Sequence, residues 1–297
     1  MRRLALFLLP FCLLAAPAGA QEAGRLDKIK QSGVVKIGHR ESSIPFSYYD
    51  DQQKPVGYAM DLCAKVVDAL SREVGKPLRI ETVPVTPATR IPLVANGTID
   101  LECGSTSNTI ARQSQVAFSI TDFVTATRFV SKKAAGLKSL GDLKGKTVAT
   151  TAGTTTITTV NELNSQKGLD LRIIAAKDHA EAFLMVETDR AVAFFMDDVL
   201  LASLAASSKA PADYVISQET YSLEPYGIIL PKGDAAFKAV VDRAITGLYK
   251  SGEITGIYDK WFMRPIPPRG INMNLPMSDA FRKVVAKPTD SGDPASY

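Results

Sequence analysis

The chain has 297 residues, 45% hydrophobic and 22% charged, with a net charge of +4 from 35 Lys and Arg against 31 Asp and Glu. This composition excludes a disordered, collagen-like or coiled-coil chain, and the length suits one large domain or two compact ones. The positive charge lies along the chain without basic blocks, against the pattern of a nucleic-acid binder, and two His with three Cys leave little for a zinc site.

Arg2 and Arg3 precede an apolar run from Leu4 to Ala16, which Ala18-Gly19-Ala20 closes with small residues. A charged start, an apolar middle and an A-x-A end are the order of a secretory signal peptide. The run is shorter than the ~20 apolar residues that a bilayer-spanning helix needs, and no later segment is both long and apolar enough. Export with cleavage after Ala20 is therefore expected. Cys12 would leave with the leader, so Cys63 and Cys103 remain. An even pair in an oxidising compartment invites a disulfide; two separate buried thiols are the other reading.

Short apolar strands then alternate with helical stretches, the pattern of an α/β chain. Residues 34–38 predict a first strand. Within 60–70, Leu62, Val66, Val67 and Leu70 share one helical face. Strand 78–83, helix 88–95 stopped by Asn96-Gly97, strand 99–103 and a long strand over 121–131 follow. The pattern restarts with strand 146–150, helix 155–164, strand 171–175, helix 179–187, strand 191–196 and helix 198–207. Residues 226–230 read as one more strand, then helices 235–250, 253–262 and 279–285 in a Pro-rich tail. Two such sets suggest two lobes.

Ligands of such sheets bind at the carboxyl ends of strands. Those ends carry His39-Arg40-Glu41-Ser42, Gly104-Ser105-Thr106-Ser107-Asn108, Thr151-Ala152-Gly153-Thr154-Thr155 and Asp197-Asp198. The Thr154-Thr155 segment opens a helix, whose free N–H groups attract carboxylate or phosphate; plain capping by Thr is the alternative. Arg112 follows Ser105 and Ser107 closely, and a guanidinium can hold a carboxylate with two parallel hydrogen bonds. An isolated Arg can equally be a solvated surface residue.

From Gly38 to Trp261 the chain resembles the family 3 extracellular solute-binding proteins that serve ABC-type amino-acid importers. The segment Gly57-Tyr58-Ala59-Met60-Asp61-Leu62, with Val66-Val67 and Leu70, carries the signature, although Ala59 stands where an acidic residue is usual. Gly38–Ser43, Pro45–Asp50, Arg90–Leu93, Asn96–Asp100, Glu102–Thr106, Lys177–His179, Met196–Asp198 and Pro265–Pro268 resemble the glutamate/aspartate-binding branch. The resemblance implies the two-lobe periplasmic-binding-protein fold (type II) with a cleft between lobes. It divides the chain into a first lobe of 25–123 and 225–297 and a second of 124–224. Hinges are expected near Thr121–Thr127 and Ser222–Gly227. It also implies a periplasmic monomer without metal or cofactor that binds L-glutamate or L-aspartate and delivers it to a membrane permease.

Site roles implied by the resemblance fall on individual positions. Arg112, Ser105 and Ser107 would hold the ligand α-carboxylate, with Thr154 and Thr155 closing on it from the second lobe. Asp197, ahead of Asp198, would pair with the α-ammonium. Arg40, Arg90 and His179 would face the side-chain carboxylate. Phe46 and Tyr48 would cover the aliphatic part, with core packing an equal alternative for Phe46. Pro87 stands where the branch often has Ser, which removes a hydroxyl donor. Three Arg against Asp197 leave a positive site for a ligand of net charge −1. The rival reading is an enzyme on the same fold, dehydratase-like or murein-lyase-like, for which Glu102 and His179 are the nameable acid/base candidates. A sensor-kinase receptor module is a third, disfavoured by the lack of a membrane segment.

Overall fold

The computed structural model describes residues 24–297. The expected signal peptide, its cleavage point after Ala20 and Cys12 lie outside the described residues. Among the described residues no helix is long and apolar enough to cross a membrane.

Two sheets carry the architecture. In the first, Val34–His39 lies between Arg79–Pro84 and Leu101–Cys103, parallel to both. Ile229–Leu230 then runs antiparallel between Leu101–Cys103 and Ala117–Phe118. In the second, Arg172–Ala176, Thr147–Thr151 and Ala193–Asp197 are parallel neighbours. Phe123–Lys132 joins them antiparallel and also pairs with Tyr214–Ile216 and Ser222–Tyr226. Parallel neighbours require long crossovers, which the helices between strands supply.

Helix Tyr58–Val74 shows how sequence sets position. Leu62, Cys63, Val66, Val67, Leu70 and Val74 are buried, and Gly75 ends the helix in the left-handed region. Its start requires glycine: Gly57 has φ 138°, and a Cβ there would stand 2.2 Å from the Phe46 carbonyl oxygen. The signature residue Asp61 fastens this helix to Glu253–Phe262, accepting from Trp261 Nε1 at 2.7 Å and from Lys260 Nζ at 2.6 Å.

One expected strand is divided. In place of a single strand over 226–230, Ser222–Tyr226 belongs to the second sheet and Ile229–Leu230 to the first. Pro225 cannot donate to a ladder, but its carbonyl accepts from Asn108 N at 2.7 Å on the edge away from Phe123–Lys132. Thus the chain enters the second sheet at Phe123 and leaves it at Tyr226, and these two crossings face each other in register. Beside them sits an aromatic core. Phe46 is fully buried, with ring centroids 4.9 Å from Phe123, 5.2 Å from Tyr226 and 5.6 Å from Phe262. The packing reading of Phe46 therefore holds.

The Pro-rich tail returns to this region. Helix Asp279–Ala286 buries Phe281 and Val284, and Phe281 lies 5.9 Å from Phe123. Beyond it, Thr289 O accepts from Thr121 N at 2.8 Å, and the hydroxyls of Tyr297 and Thr121 meet at 2.6 Å. Asp290 O accepts from Asn108 Nδ2 at 2.8 Å and Gln113 Nε2 at 3.0 Å.

Cys63 and Cys103 are joined by a disulfide, 40 residues apart in sequence. It ties helix Tyr58–Val74 to the strand whose end carries Gly104–Ser107. A cross-link closing a loop of that length restricts the unfolded chain. Replacing both cysteines with serine should cost about 2–4 kcal/mol in urea unfolding; an unchanged midpoint would show that the cross-link contributes nothing.

Candidate ligand-binding site

Arg40 follows strand Val34–His39, and its backbone N–H donates to Ser47 Oγ at 2.9 Å. Arg90 is the first residue of helix Arg90–Ala95 and donates through Nη1 to Ser105 O at 3.0 Å. Arg112 lies in the short helix Ile110–Gln113, capped by Thr109, and donates through Nη1 to Ser107 O at 2.8 Å. From the second sheet come Thr154 and Thr155 after strand Thr147–Thr151, His179 opening helix His179–Glu187, and Asp197 ending strand Ala193–Asp197.

These groups meet in a sealed interface. Arg40, Arg90 and Arg112 keep only 1%, 2% and 8% of their surface exposed. Arg112 Nη2 donates across to Gly153 O at 3.1 Å, and Ser107 Oγ lies 3.4 Å from Thr155 Oγ1. Arg40 Nη2 faces His179 Nε2 at 3.4 Å. Gly153, at φ +76°, touches the opposite lobe so closely that a Cβ would stand 2.6 Å from Ala88 N and Cα. The two lobes are closed on each other.

Several buried polar atoms are left unmatched here. Arg40 Nε and Nη1, Arg90 Nε, Glu102 Oε1 and Ser105 Oγ are buried without a hydrogen-bond partner. Among the described residues, none of the three guanidiniums forms an ion pair. Buried charge without a partner is strongly unfavourable, so the site is built for an anion. Burial, with repulsion from Arg90, pulls Arg40 down to about 9 and Arg112 to about 10. Each still carries its proton at neutral pH.

His179 is held well below its ordinary value by burial and by Arg40 and Arg90. The ring is therefore neutral. With Nε2 toward the Arg40 guanidinium, which can only donate, the proton is assigned to Nδ1, donating to Thr151 Oγ1 at 3.0 Å. Asp197 is the opposite case. Burial first, and Glu224 second, push its carboxyl up to about 8. Its oxygens accept from Thr127 Oγ1 at 3.2 Å and from the Tyr226 hydroxyl.

Tyr48, the Thr154 hydroxyl and Asp198 are engaged by other partners. Tyr48 is not among the arginines: its hydroxyl donates to Pro267 O at 2.8 Å and its ring packs 6.1 Å from Trp261. Strand residues alternate faces, so when Ser47 supports Arg40, Tyr48 points the other way. The Thr154 hydroxyl caps its helix, accepting from Ile157 N and donating to Thr151 O at 2.7 Å, which leaves backbone N–H groups as that segment's donors. Asp198 is taken up by Thr125 Oγ1 at 2.6 Å and Arg128 Nε at 3.3 Å.

The sequence reading missed Glu224. Only 4% exposed, it accepts from Thr155 Oγ1 at 2.9 Å and Ser222 Oγ at 2.5 Å. Period-two alternation puts Ser222, Glu224 and Tyr226 on one face, a signal available in the sequence but read there only as a hinge. Glu102, fully buried, accepts from Thr106 Oγ1 at 2.6 Å and opposes the downward pull on Arg40 and Arg90. The charge of the site therefore includes two further carboxylates.

Residues 35–264 match the bacterial extracellular solute-binding proteins of family 3. The chain belongs to this family. It is similar to the L-glutamate/L-aspartate-binding protein of Pseudomonas aeruginosa, 52% identical over 281 residues that cover 94% of this chain and 93% of the relative. It is also similar to the glutamate/aspartate import solute-binding protein of Escherichia coli, 45% identical over 98% of each. Among solved structures, an ancestral arginine-binding protein bound to arginine superposes with a TM-score of 0.70 at 30% identity, covering 77% of this chain and 98% of that one. Family 3 membership accounts for the two-lobe fold.

The Asp197 environment has a testable effect on stability. A carboxyl raised in the fold is neutral where the unfolded chain is ionised. Its contribution is therefore lost progressively as pH climbs from ~4 through about 8. The Asp197→Asn variant, free of ligand, should show a shallower fall in melting temperature from pH 5 to 8 than the parent. A parallel fall would contradict the raised carboxyl.

Proposed function

We propose that this protein is the periplasmic binding component of an ABC importer, closing its lobes around L-glutamate or L-aspartate and delivering it to a membrane permease. The observation that carries the reading is the convergence of three buried guanidiniums without ion-pair partners on one interlobe site. Relatives at 45–52% identity are named for glutamate and aspartate, which supports the same cargo here. Their names denote solute-binding proteins, so the enzyme alternative is not adopted.

In this reading Arg112 takes the α-carboxylate, assisted by Ser105, Ser107 and the N–H groups of the Thr154–Thr155 helix start. Arg40 and Arg90 take the side-chain carboxylate, with His179 presenting a neutral ring beside Arg40. Asp197 takes the ammonium. The first lobe comprises 25–123 and 225–297, the second 124–224, and the paired crossings at Phe123 and Tyr226 act as hinge. A ligand shifts lobe closure only through contacts it makes more strongly in the closed state, so donors from both lobes are needed. The protein works as a monomer, exported with cleavage after Ala20; its secreted form should begin at Gln21.

Calorimetric titration with Glu, Asp, Gln and Asn tests the cargo. The acids should bind at least a hundredfold more tightly than the amides, because an amide leaves a buried guanidinium unpaired at a cost of ~3–5 kcal/mol. Equal affinity for the amides would overturn the acidic cargo. Arg40→Ala and Arg90→Ala should each lose over a hundredfold in glutamate affinity while still folding. In Gly153→Ala the added methyl would meet the Ala88 backbone, so the lobes should stop short of closure. A more open scattering profile with saturating glutamate is expected, and a parent-like profile would dismiss that contact.

A further inference from the structure

We infer that Glu224 is a second carboxylate of the ammonium seat, and that Asp197 and Glu224 together hold one proton which the incoming ammonium displaces. This rests on the proposed reading of the site as an amino-acid site and adds to it a coupling between capture and proton release.

The geometry is a chain of hydroxyls joining two buried carboxyls. Ser222 Oγ reaches Glu224 Oε1 at 2.5 Å and Thr127 Oγ1 at 2.8 Å, and Thr127 Oγ1 reaches Asp197 Oδ1 at 3.2 Å. Thr155 Oγ1 closes the other side of Glu224 at 2.9 Å, and the Tyr226 hydroxyl closes Asp197 Oδ2. Asp197 and Glu224 are 1% and 4% exposed, and among the described residues neither forms an ion pair. Two carboxylates joined through hydroxyls and shut away from water repel each other, and one proton held between them relieves that repulsion.

The surrounding charges say which state is held. Asp198, next in the chain, adds negative charge but is neutralised by Arg128 at 3.3 Å. From the first lobe, Arg90 faces Asp197 and Arg112 faces both Asp197 and Glu224, with Glu102 opposing them nearby. From the exit strand, Tyr226 donates to Asp197 and is itself pushed well above its ordinary value, so it remains neutral. The guanidiniums favour one negative charge on the pair, and a second lacks a cation beside it. An α-ammonium supplies that cation. On binding, the carboxyl O–H bond breaks, its electron pair stays on oxygen, and the proton passes through water to the buffer base. The ammonium keeps its three N–H bonds.

Titration of the full chain with L-glutamate in phosphate and in Tris at pH 7, buffers of different ionisation enthalpy, reads the protons directly. Roughly one proton should be released per glutamate bound, and the association constant should rise up to about tenfold per pH unit from pH 6 before levelling near 8. In Glu224→Gln the release at pH 7 should fall by at least half and the levelling should move to lower pH. Should that variant not fold, Ser222→Ala, which removes a donor to Glu224, should move the levelling upward. Glutamate binding without proton release overturns the inference alone, as does a levelling pH that is unaltered in both variants. Failure to bind glutamate at all overturns the acidic-cargo reading on which it stands.

Discussion

The structure depends on an unfavourable electrostatic arrangement: three guanidiniums taken out of water with no carboxylate directly opposite them. Arg40 follows a strand end, whereas Arg90 and Arg112 sit on short helices with their guanidiniums steadied by the carbonyls of Ser105, Ser107 and Gly153, so part of their side-chain freedom is spent in folding and not at capture. Glu102 and Glu224 moderate the excess charge from behind, through hydroxyl partners that keep them out of direct ion pairs. The result favours a molecule that brings anionic groups to the guanidiniums and a cation to Asp197.

Closure follows from the same layout. Three groups on the first lobe meet partners on the second: Arg112 with Gly153, Ser107 with Thr155, Arg40 with His179. Away from these polar contacts, Ser203 Oγ also crosses to Ile44 O at 2.6 Å. The aromatic core around Phe46 and Phe123 is packed beside the two crossings, whose strands pair in register.

Much of this was legible in the sequence, for identifiable reasons. Helix Tyr58–Val74 announced itself through a one-sided apolar stripe, and helices 179–187, 198–207 and 253–262 have the bounds that periodicity predicts. Arg40 could be recognised because it follows a strand end, whereas Arg90 and Arg112 lie on short helices and took their roles from the resemblance. Tyr48 took its role from the resemblance, and its strand of three residues is too short for alternation to show which face is inward. Glu224 was hidden in a segment read only as a hinge. The fit of Gly153 against Ala88 joins residues far apart in the chain, and no local pattern encodes it. The same holds for Asp197 and its neighbours, whose titration depends on what surrounds them.

The tail has a consequence of its own. Residues beyond 264 lie past the stretch that matches the family, yet their carbonyls grip Thr121, beside the first crossing, and the loop that carries Arg112. Mechanically, the carboxyl end is lashed to the crossing between the two sheets. On the proposed closure, a fluorophore attached there would report each capture through its brightness without touching the pocket.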